Sequence, residues 1–159
     1  MYMLKISKDL SVFLSLAIAA LFFIACIGGL FVMPGLTDTL IGVADHLADG
    51  KTMTPGGRTV VLAAAYGIVF TFIFVDMLLT AILLRVKKGQ VFSDATVALI
   101  RGVSWCCFLL CLLFGILGIF FLLSFAVAFI AVFLGLCLRV VKNVIEEATQ
   151  IKDENDLTV

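Results

Sequence analysis

A single carboxylate inside an apolar stretch is the first residue whose type and position could do chemistry. Asp76 is the only charged residue between Val60 and Leu84, and it lies nine residues before Arg85. In a helix with a rise of about 1.5 Å per residue, that spacing places Asp76 about 13 Å below the interface that Arg85 would mark. Ionisable groups at such depth cost about 2.5 to 3.5 kcal/mol on insertion scales and often mark proton or ion pathways. Asp76 is therefore a candidate functional residue.

The sequence leaves three interpretations of Asp76 open. A protonated carboxyl group could hydrogen-bond Thr80, Thr71 or a facing Ser104 and so join helices within the membrane. Asp76 could instead carry a proton or a cation. No second charged residue lies at that depth, so such coupling would need an oligomer or a bound cation. The third interpretation is a polar substitution without a role.

The other chemically interesting residues do not form a catalytic or metal-binding pattern. His46 is the single histidine, and Asp49 is the acidic residue that a helix would bring near it, so we interpret His46 as a solvated surface residue. Cys107 and Cys111 share a helix face but have no His, Asp or Glu beside them, whereas metal sites need further donors. No nucleotide-binding or zinc-protease motif occurs, and no base accompanies the serines. The sequence predicts no enzyme, no cofactor and no metal site.

The elements that position these residues are predicted to be membrane-spanning helices. The mean hydropathy is +1.27 and only 14% of the residues are charged, which is too few to cover a soluble globule. The run of 37 uncharged residues from Gly102 to Leu138 would be about 55 Å long as one helix, so it must fold back, most simply near Gly115, Gly118 and Ser124. The predicted class is an all-α polytopic protein with one membrane domain. Its four spans are predicted at about 11–32, 60–84, 96–117 and 120–141.

The distribution of Lys and Arg predicts the orientation. Four spans with an internal N-terminus place nine basic residues in the cytosol and only Lys51 and Arg58 outside. The formal net charge of zero says nothing about nucleic acid, because the charges are segregated by side of the membrane. We expect no direct nucleic-acid binding. We therefore expect both termini in the cytosol and a multi-pass protein of a bacterial inner membrane. The cytosolic parts are a hairpin at 85–95 and a tail at 142–159.

The outer loop, residues 33–59, is expected to contain its own short helix. Pro34 and Gly35 are typical residues at a helix end, and Asp38 could cap a new helix that stops at Gly50. The intervening apolar residues have helical spacing. The pattern indicates a short amphipathic helix on the outer membrane surface.

The two cytosolic segments carry defined local patterns. Gly89 should end the second span, Phe92 precedes a cap, and either Ser93 or Asp94 can accept the first free N–H groups of the next helix. The fourth helix should continue past Arg139 into the cytosol. It would carry one apolar stripe there: Val140, Val141, Val144, Ile145, Ala148 and Ile151. The partner of that stripe could be the hairpin, the same tail of another copy, or a different protein.

These two segments together resemble the bacterial DUF2975 family of small membrane proteins. The similarity is carried by "LRVKKGQVFSDATVALIRGVSW", with its Gly-x-x-Phe-Ser turn, and by the terminal "KDENDLTV". It is expected to extend over the whole chain. The resemblance implies a four-span protein without an established enzymatic activity. Members often lie beside genes for very small helix-turn-helix regulators, which implies a DNA-binding protein as a partner.

We therefore expect a non-enzymatic membrane protein that holds such a regulator at the bilayer, with homo-oligomer formation as a further possibility. The residues expected to bind the partner are Gly89, Phe92, Ser93, Glu154, Asn155, Asp156, Leu157, Thr158 and Val159. The tip formed by Leu157 and Val159 could enter a groove of a partner or fold back against Phe92. The alternative function is a small proton- or cation-coupled transporter that uses Asp76.

Overall fold

The computed structural model describes residues 8–47 and 53–156, and the regular elements in these ranges are all α-helices. The helices are α1 (Lys8–Leu47), α2 (Pro55–Lys87), α3 (Asp94–Gly118) and α4 (Leu122–Asp156). Each of the four is long and apolar enough to cross a membrane. The predicted all-α class with four spans is confirmed. The assignment of the ends to the cytosol continues to rest on the count of Lys and Arg.

The first helix does not end at Pro34. α1 continues through Pro34 to Leu47, so the predicted break and the separate outer helix from Asp38 are wrong, although residues 38–47 are helical as expected. Proline lacks the N–H that would bond the carbonyl four residues earlier, which here belongs to Leu30. The hydroxyl of Tyr66 on α2 donates to that carbonyl at 3.5 Å. A residue of the neighbouring helix thus bonds the carbonyl that Pro34 cannot.

The C-terminal end of α1 is joined to α2 and to the residues just before it by two polar contacts. Asp38, which was predicted to cap a helix, instead lies within α1 and forms an ion pair with Arg58 of α2 at 2.6 Å. Asp45 accepts a hydrogen bond from the backbone N–H of Met53 at 2.9 Å. Asp45 thereby orients the chain as it enters α2, where Thr54 is the N-cap.

The α3–α4 turn falls where the small residues predicted a reversal. α3 ends at Gly118 and α4 begins at Leu122. The backbone N–H groups of Phe120 and Phe121 both donate to the carbonyl of Leu117, at 3.0 and 2.8 Å. One of the carbonyls left without a helical partner at the end of α3, that of Leu117, is therefore hydrogen-bonded within a very short turn.

The helices pack in chain order. Close backbone approaches join α1 to α2, α2 to α3 and α3 to α4 within the described residues. The central core consists of Ile68 on α2, Leu110 on α3 and Ala131 on α4. α3 therefore lies between α2 and α4, while α1 adds to the outside of α2. The arrangement is an open row, in which α1 and α4 each keep one side for lipid or for another protein.

Glycine allows close helix approach at some of its positions in the row but not at others. A Cβ atom added at Gly135 of α4 would lie 3.2 Å from the Cβ of Cys107 on α3. At Gly118 it would lie 2.8 Å from the ring of Phe125. At Gly28 and Gly29 it would meet nothing within 4 Å. The tightest glycine-mediated helix pair in the row is therefore α3 with α4.

We predict that Gly135→Leu destabilises the protein and that Gly28→Leu does not. Leucine at Gly135 must push α3 away, and overpacking of this kind costs about 1–3 kcal/mol. Both substitutions raise helix propensity equally, so their comparison isolates the packing effect. Thermal melting of the full chain in detergent, followed by circular dichroism, should show a lower midpoint for Gly135→Leu alone. Equal midpoints for the two variants would contradict the close α3–α4 contact.

Candidate functional site at the basic end

The end of the row that carries the α2–α3 turn, Arg101, Arg139 and the last part of α4 is called the basic end below. Its turn begins after α2, where Gly89 has φ +72°, a left-handed conformation that favours glycine. The N–H of Gln90 then donates to the carbonyl of Arg85 at 3.0 Å, which closes the helix end. Ser93 is the N-cap of α3, so of the two predicted caps the structure uses the first. Gly89 and Ser93 together fix the shape of this turn.

A buried threonine locks the turn to α3. Thr96 is only 1% exposed, and its hydroxyl donates to the carbonyl of Gln90 at 3.1 Å. The hydroxyls of Thr96 and Ser93 also lie 3.0 Å apart, in hydrogen-bond contact. Phe92, by contrast, remains 48% exposed. The turn is therefore held by polar contacts and presents an aromatic side chain at its surface.

The register of α4 against α3 places its extension beside this turn. The hydroxyl of Ser104 on α3 donates to the carbonyl of Gly135 on α4 at 2.9 Å. Because the two helices are antiparallel, moving 11 residues from each brings Ser93 level with Glu146 (104 − 11 = 93; 135 + 11 = 146). Thr149 lies about one turn further and is only 4% exposed. The extension of α4 thus runs past the start of α3, and its buried side lies at the level of the turn.

The apolar residues of the α4 extension divide between two faces. Ile145 and Ala148 are half-buried, and Ile145 lies on the same face as buried Thr149. The opposite face carries three exposed residues: Val140, Val144 and Ile151. Each is two residues, or about 200° around the helix, from Lys142 or Thr149 on the side that packs against α3. The prediction of a single apolar stripe is therefore wrong, because its residues are divided between a packed face and an exposed face. Val141 is also exposed but lies between the two faces. The exposed residues of the opposite face are called the outward stripe below: Val140, Val144 and Ile151.

An ion-pair network connects the packed side of α4 to α3. Lys142 contacts Glu146 at 2.5 Å, and Arg101 of α3 reaches Glu146 at 3.5 Å. Side chains on helices lean toward the N-terminus, so Arg101 and Glu146 lean toward each other across the antiparallel pair. The hydrogen bond from Lys142 lowers the pKa of Glu146, and the charges of Lys142 and Arg101 act in the same direction. Glu146 lies beyond the predicted span and stays ionised to lower pH than an ordinary glutamate.

The structure brings only part of the predicted site into view. Gly89, Phe92 and Ser93 lie together in the turn, and Glu154 is exposed on the last turns of α4. Asn155 and Asp156 belong to α4, but their side chains are outside the described residues. Leu157, Thr158 and Val159 also lie outside them. Whether the tip folds back on Phe92 stays a prediction.

Asp76 lies between α1 and α2, away from the α2–α3 turn of the basic end. It is 5% exposed and lines a cavity of about 580 Å³ with Phe23 of α1 and Thr80 of its own helix. Two of the three hydroxyls that were predicted to bond it are used elsewhere, since Thr71 donates to the Gly67 carbonyl and Ser104 donates to the Gly135 carbonyl. Among the described residues, no hydrogen bond to the Asp76 carboxylate occurs. The expected hydrogen bonds between helices through Asp76 are therefore not formed.

Sequence reasoning missed the residues that hold the basic end together. Thr96, Glu146 and Thr149 were not singled out, yet Thr96 and Glu146 make its buried and charged contacts and Thr149 is buried on the packed side of α4. A signal for Thr149 was present, because polar Lys142 and Thr149 share one face of α4 at a spacing of seven residues. For Thr96 the partner is a backbone carbonyl in the turn, which no residue pattern identifies.

The family of the chain follows from a match to a family model. The model for "Protein of unknown function (DUF2975)" matches residues 42–159, about three quarters of the chain. The chain belongs to the DUF2975 family. The matched part begins inside α1, so it is shorter than the whole-chain similarity expected from the motifs, but it includes the α2–α3 turn and all of α4. No curated protein and no solved structure matches the chain.

We predict that Thr96→Val loosens the α2–α3 turn. Valine keeps the volume but removes the shorter of two hydroxyl bonds to the Gln90 carbonyl, leaving the bond from Ser93 at 3.4 Å, and loss of one hydrogen bond costs about 0.5–1.5 kcal/mol. Hydrogen–deuterium exchange of the full chain should become faster at residues 88–97. Thr39→Val is the matched control, because Thr39 is exposed and donates within its own helix to Gly35. Unchanged exchange in Thr96→Val would contradict a locking role for this hydroxyl.

Proposed function

We propose that the chain is a non-enzymatic membrane protein that holds a small helix-turn-helix regulator at the cytosolic surface of the membrane. The observation that supports this proposal is the outward stripe on α4. Val144 is 60% exposed and Ile151 is 54% exposed, although both lie beyond the predicted end of the span. Burying such side chains stabilises a complex by about 1.5–3 kcal/mol each. An apolar face that leaves the membrane on a rigid helix is a suitable binding surface for a protein.

Charge on the same face favours a basic partner. Glu147 is exposed and lies between Val144 and Ile151, at i+3 from the first and i−4 from the second. Acidic residues on this face disfavour contact with an anionic membrane surface, because like charges repel. A DNA-binding protein carries a positive surface, which complements an acidic and apolar helix face. The stripe therefore suits a regulator better than it suits lipid.

The expected action is sequestration. A regulator bound at the membrane is removed from the pool that can bind DNA, in proportion to its affinity for the membrane protein. The rigid α2–α3 turn, with exposed Phe92, offers a second contact at the same end. No enzymatic step is part of this proposal.

We predict that the double variant Val144→Asp, Ile151→Asp loses the regulator. Two carboxylates in the centre of an apolar contact would reduce retention at least about tenfold, since unpaired charges are costly to bury. The measurement is affinity purification of the full-length protein in mild detergent, with bound proteins identified by mass spectrometry. The expected companion is a small basic helix-turn-helix protein.

Gln150→Asp provides the matched control for this variant. Gln150 is exposed on the same helix and next to Ile151, but it is not part of the outward stripe. It adds negative charge without placing it in the stripe, so retention should be unchanged. Equal retention by the double variant and the native protein would overturn the proposal. Self-association lost in the double variant, with no regulator bound to the native protein, would identify a second copy as the occupant instead.

A second candidate function, proton- or cation-coupled transport, is supported by the position of Asp76. This buried carboxylate lines a cavity between α1 and α2 and has no hydrogen bond among the described residues. Such a group is available to bind a proton or a cation. The cavity is otherwise lined mainly by apolar side chains, including Leu16 and Met77.

Transport predicts that Asp76→Asn abolishes an ion flux of the native protein. The asparagine keeps the size of the side chain but cannot ionise, so coupling should be lost while folding is kept. The measurement is the internal pH of vesicles containing the purified protein, after a proton or sodium gradient is imposed. Thr80→Val, which changes the same cavity without removing the carboxylate, should retain flux. No flux with the native protein would exclude this function.

A further inference from the structure

A cavity of about 340 Å³ opens between α3 and α4 at the basic end. Its lining combines positive charge with one aromatic ring, and it is separate from the outward stripe. The lining residues are Arg101, Ser104, Trp105, Arg139, Lys142 and Asn143. The lining contains three cationic side chains and no carboxylate, so the cavity is suited to an anion.

The positive charge of the cavity is only partly balanced. Glu146 is the carboxylate that contacts Arg101 and Lys142, so three positive charges face one negative charge. The ammonium group of Lys142 already has two partners, since it pairs with Glu146 and donates to the Asn143 side chain at 3.1 Å, and the Lys142 side chain is only 17% exposed. Arg139 has no carboxylate within ion-pair distance in the described parts of the chain. The side chains around the cavity therefore have a net charge of two positive units, which a bound anion could neutralise.

Arg139 is held by aromatic rings. Its guanidinium carbon lies 5.1 Å from the ring centre of Trp105 and 5.6 Å from that of Phe108. These two rings meet edge to face with their centres 6.0 Å apart. A guanidinium that rests on aromatic rings keeps N–H donors at its edge, where they can bond two oxygens of one anion. Arg139 is therefore oriented before any ligand arrives.

The depth of the cavity matches the level of lipid phosphates. α3 has 17 uncharged residues from Gly102 to Gly118, and α4 has 17 from Leu122 to Leu138. Each run is about 26 Å long in a helix, close to the roughly 30 Å of bilayer hydrocarbon. Arg101 and Arg139 are the first charges beyond these runs. They lie where acyl chains end and headgroups begin, and Trp105 is typical of that interface.

We propose that this cavity binds the phosphate group of an anionic phospholipid from the cytosolic leaflet. Arg139 and Arg101 donate to the phosphate oxygens, Lys142 adds positive charge, and Trp105 contacts the apolar part below the phosphate. Basic pockets between transmembrane helices on the cytosolic side are known to hold lipid headgroups. A free phosphate ion has the same charge chemistry but makes no use of the apolar side of the cavity. This proposal is independent of any bound regulator.

The test titrates the purified full-length protein in detergent with phosphatidylglycerol and measures bound lipid by native mass spectrometry. Phosphatidylcholine and inorganic phosphate are titrated in parallel. The native protein should prefer phosphatidylglycerol, and Arg139→Gln should weaken its binding about tenfold. Lys88→Gln is the control, because Lys88 is an exposed basic residue of the same end outside the cavity. It should change binding less than about twofold, as exposed charges contribute little.

A second variant keeps the test decisive if Arg139→Gln unfolds. Arg139→Lys retains the charge but loses the planar fork, so its affinity should lie between those of the native protein and the glutamine variant. Equal losses in Arg139→Gln and Lys88→Gln would mean diffuse surface attraction and would overturn the site. Displacement of phosphatidylglycerol by inorganic phosphate at equal concentration would identify a free-anion site and overturn the lipid assignment.

Discussion

The hydrogen bond from the Ser104 hydroxyl to the Gly135 carbonyl, at 2.9 Å, sets the geometry on which the basic end depends. Serine and threonine in apolar helices usually bond a carbonyl one turn earlier in the same helix, as Thr71 does with Gly67. Ser104 reaches across because Gly135 has no side chain to hold α3 and α4 apart. Hydrocarbon contains no water to replace this bond, so sliding one helix along the other would leave polar groups unpaired. The bond therefore fixes the register of the pair.

From this register follow the contacts that give the basic end its chemistry. It brings Glu146 within reach of Arg101 and sets Arg139 over Trp105. It also carries Thr149 past the start of α3 to the level of the α2–α3 turn. A shift by one helical turn would move Arg101 away from Glu146 and Arg139 away from Trp105 by about 5 Å, while Lys142, on the same helix as Glu146, would keep its contact. The contact between Ser104 and Gly135 within the spans thus determines where the charged side chains at their ends lie.

The sequence predicted those features whose causes are local. The end of α2 at Gly89 and the cap of α3 depend on residues within one turn of the chain. The first was expected from residue type, and the cap was expected at Ser93 or Asp94. The course of the chain at Pro34 was predicted wrongly, because its outcome depends on Tyr66, a residue of another helix that bonds the Leu30 carbonyl. Periodicity likewise placed the tail in a helix but could not divide its apolar residues between packed and exposed faces. That division depends on how α4 lies against α3.

The outward stripe and the lipid-binding cavity lie on different sides of one helix, so they can be occupied together. Lys142, in the cavity, and Val144, in the stripe, are about 200° apart around α4. Within the hydrocarbon the same outward face carries Phe129, Phe133 and Leu136, which cost nothing when they face lipid. Beyond Arg139 the solvent changes to water while the face stays apolar. A phosphate bound beside Arg139 would hold α4 at the point where this change occurs and so set the angle at which the stripe leaves the membrane.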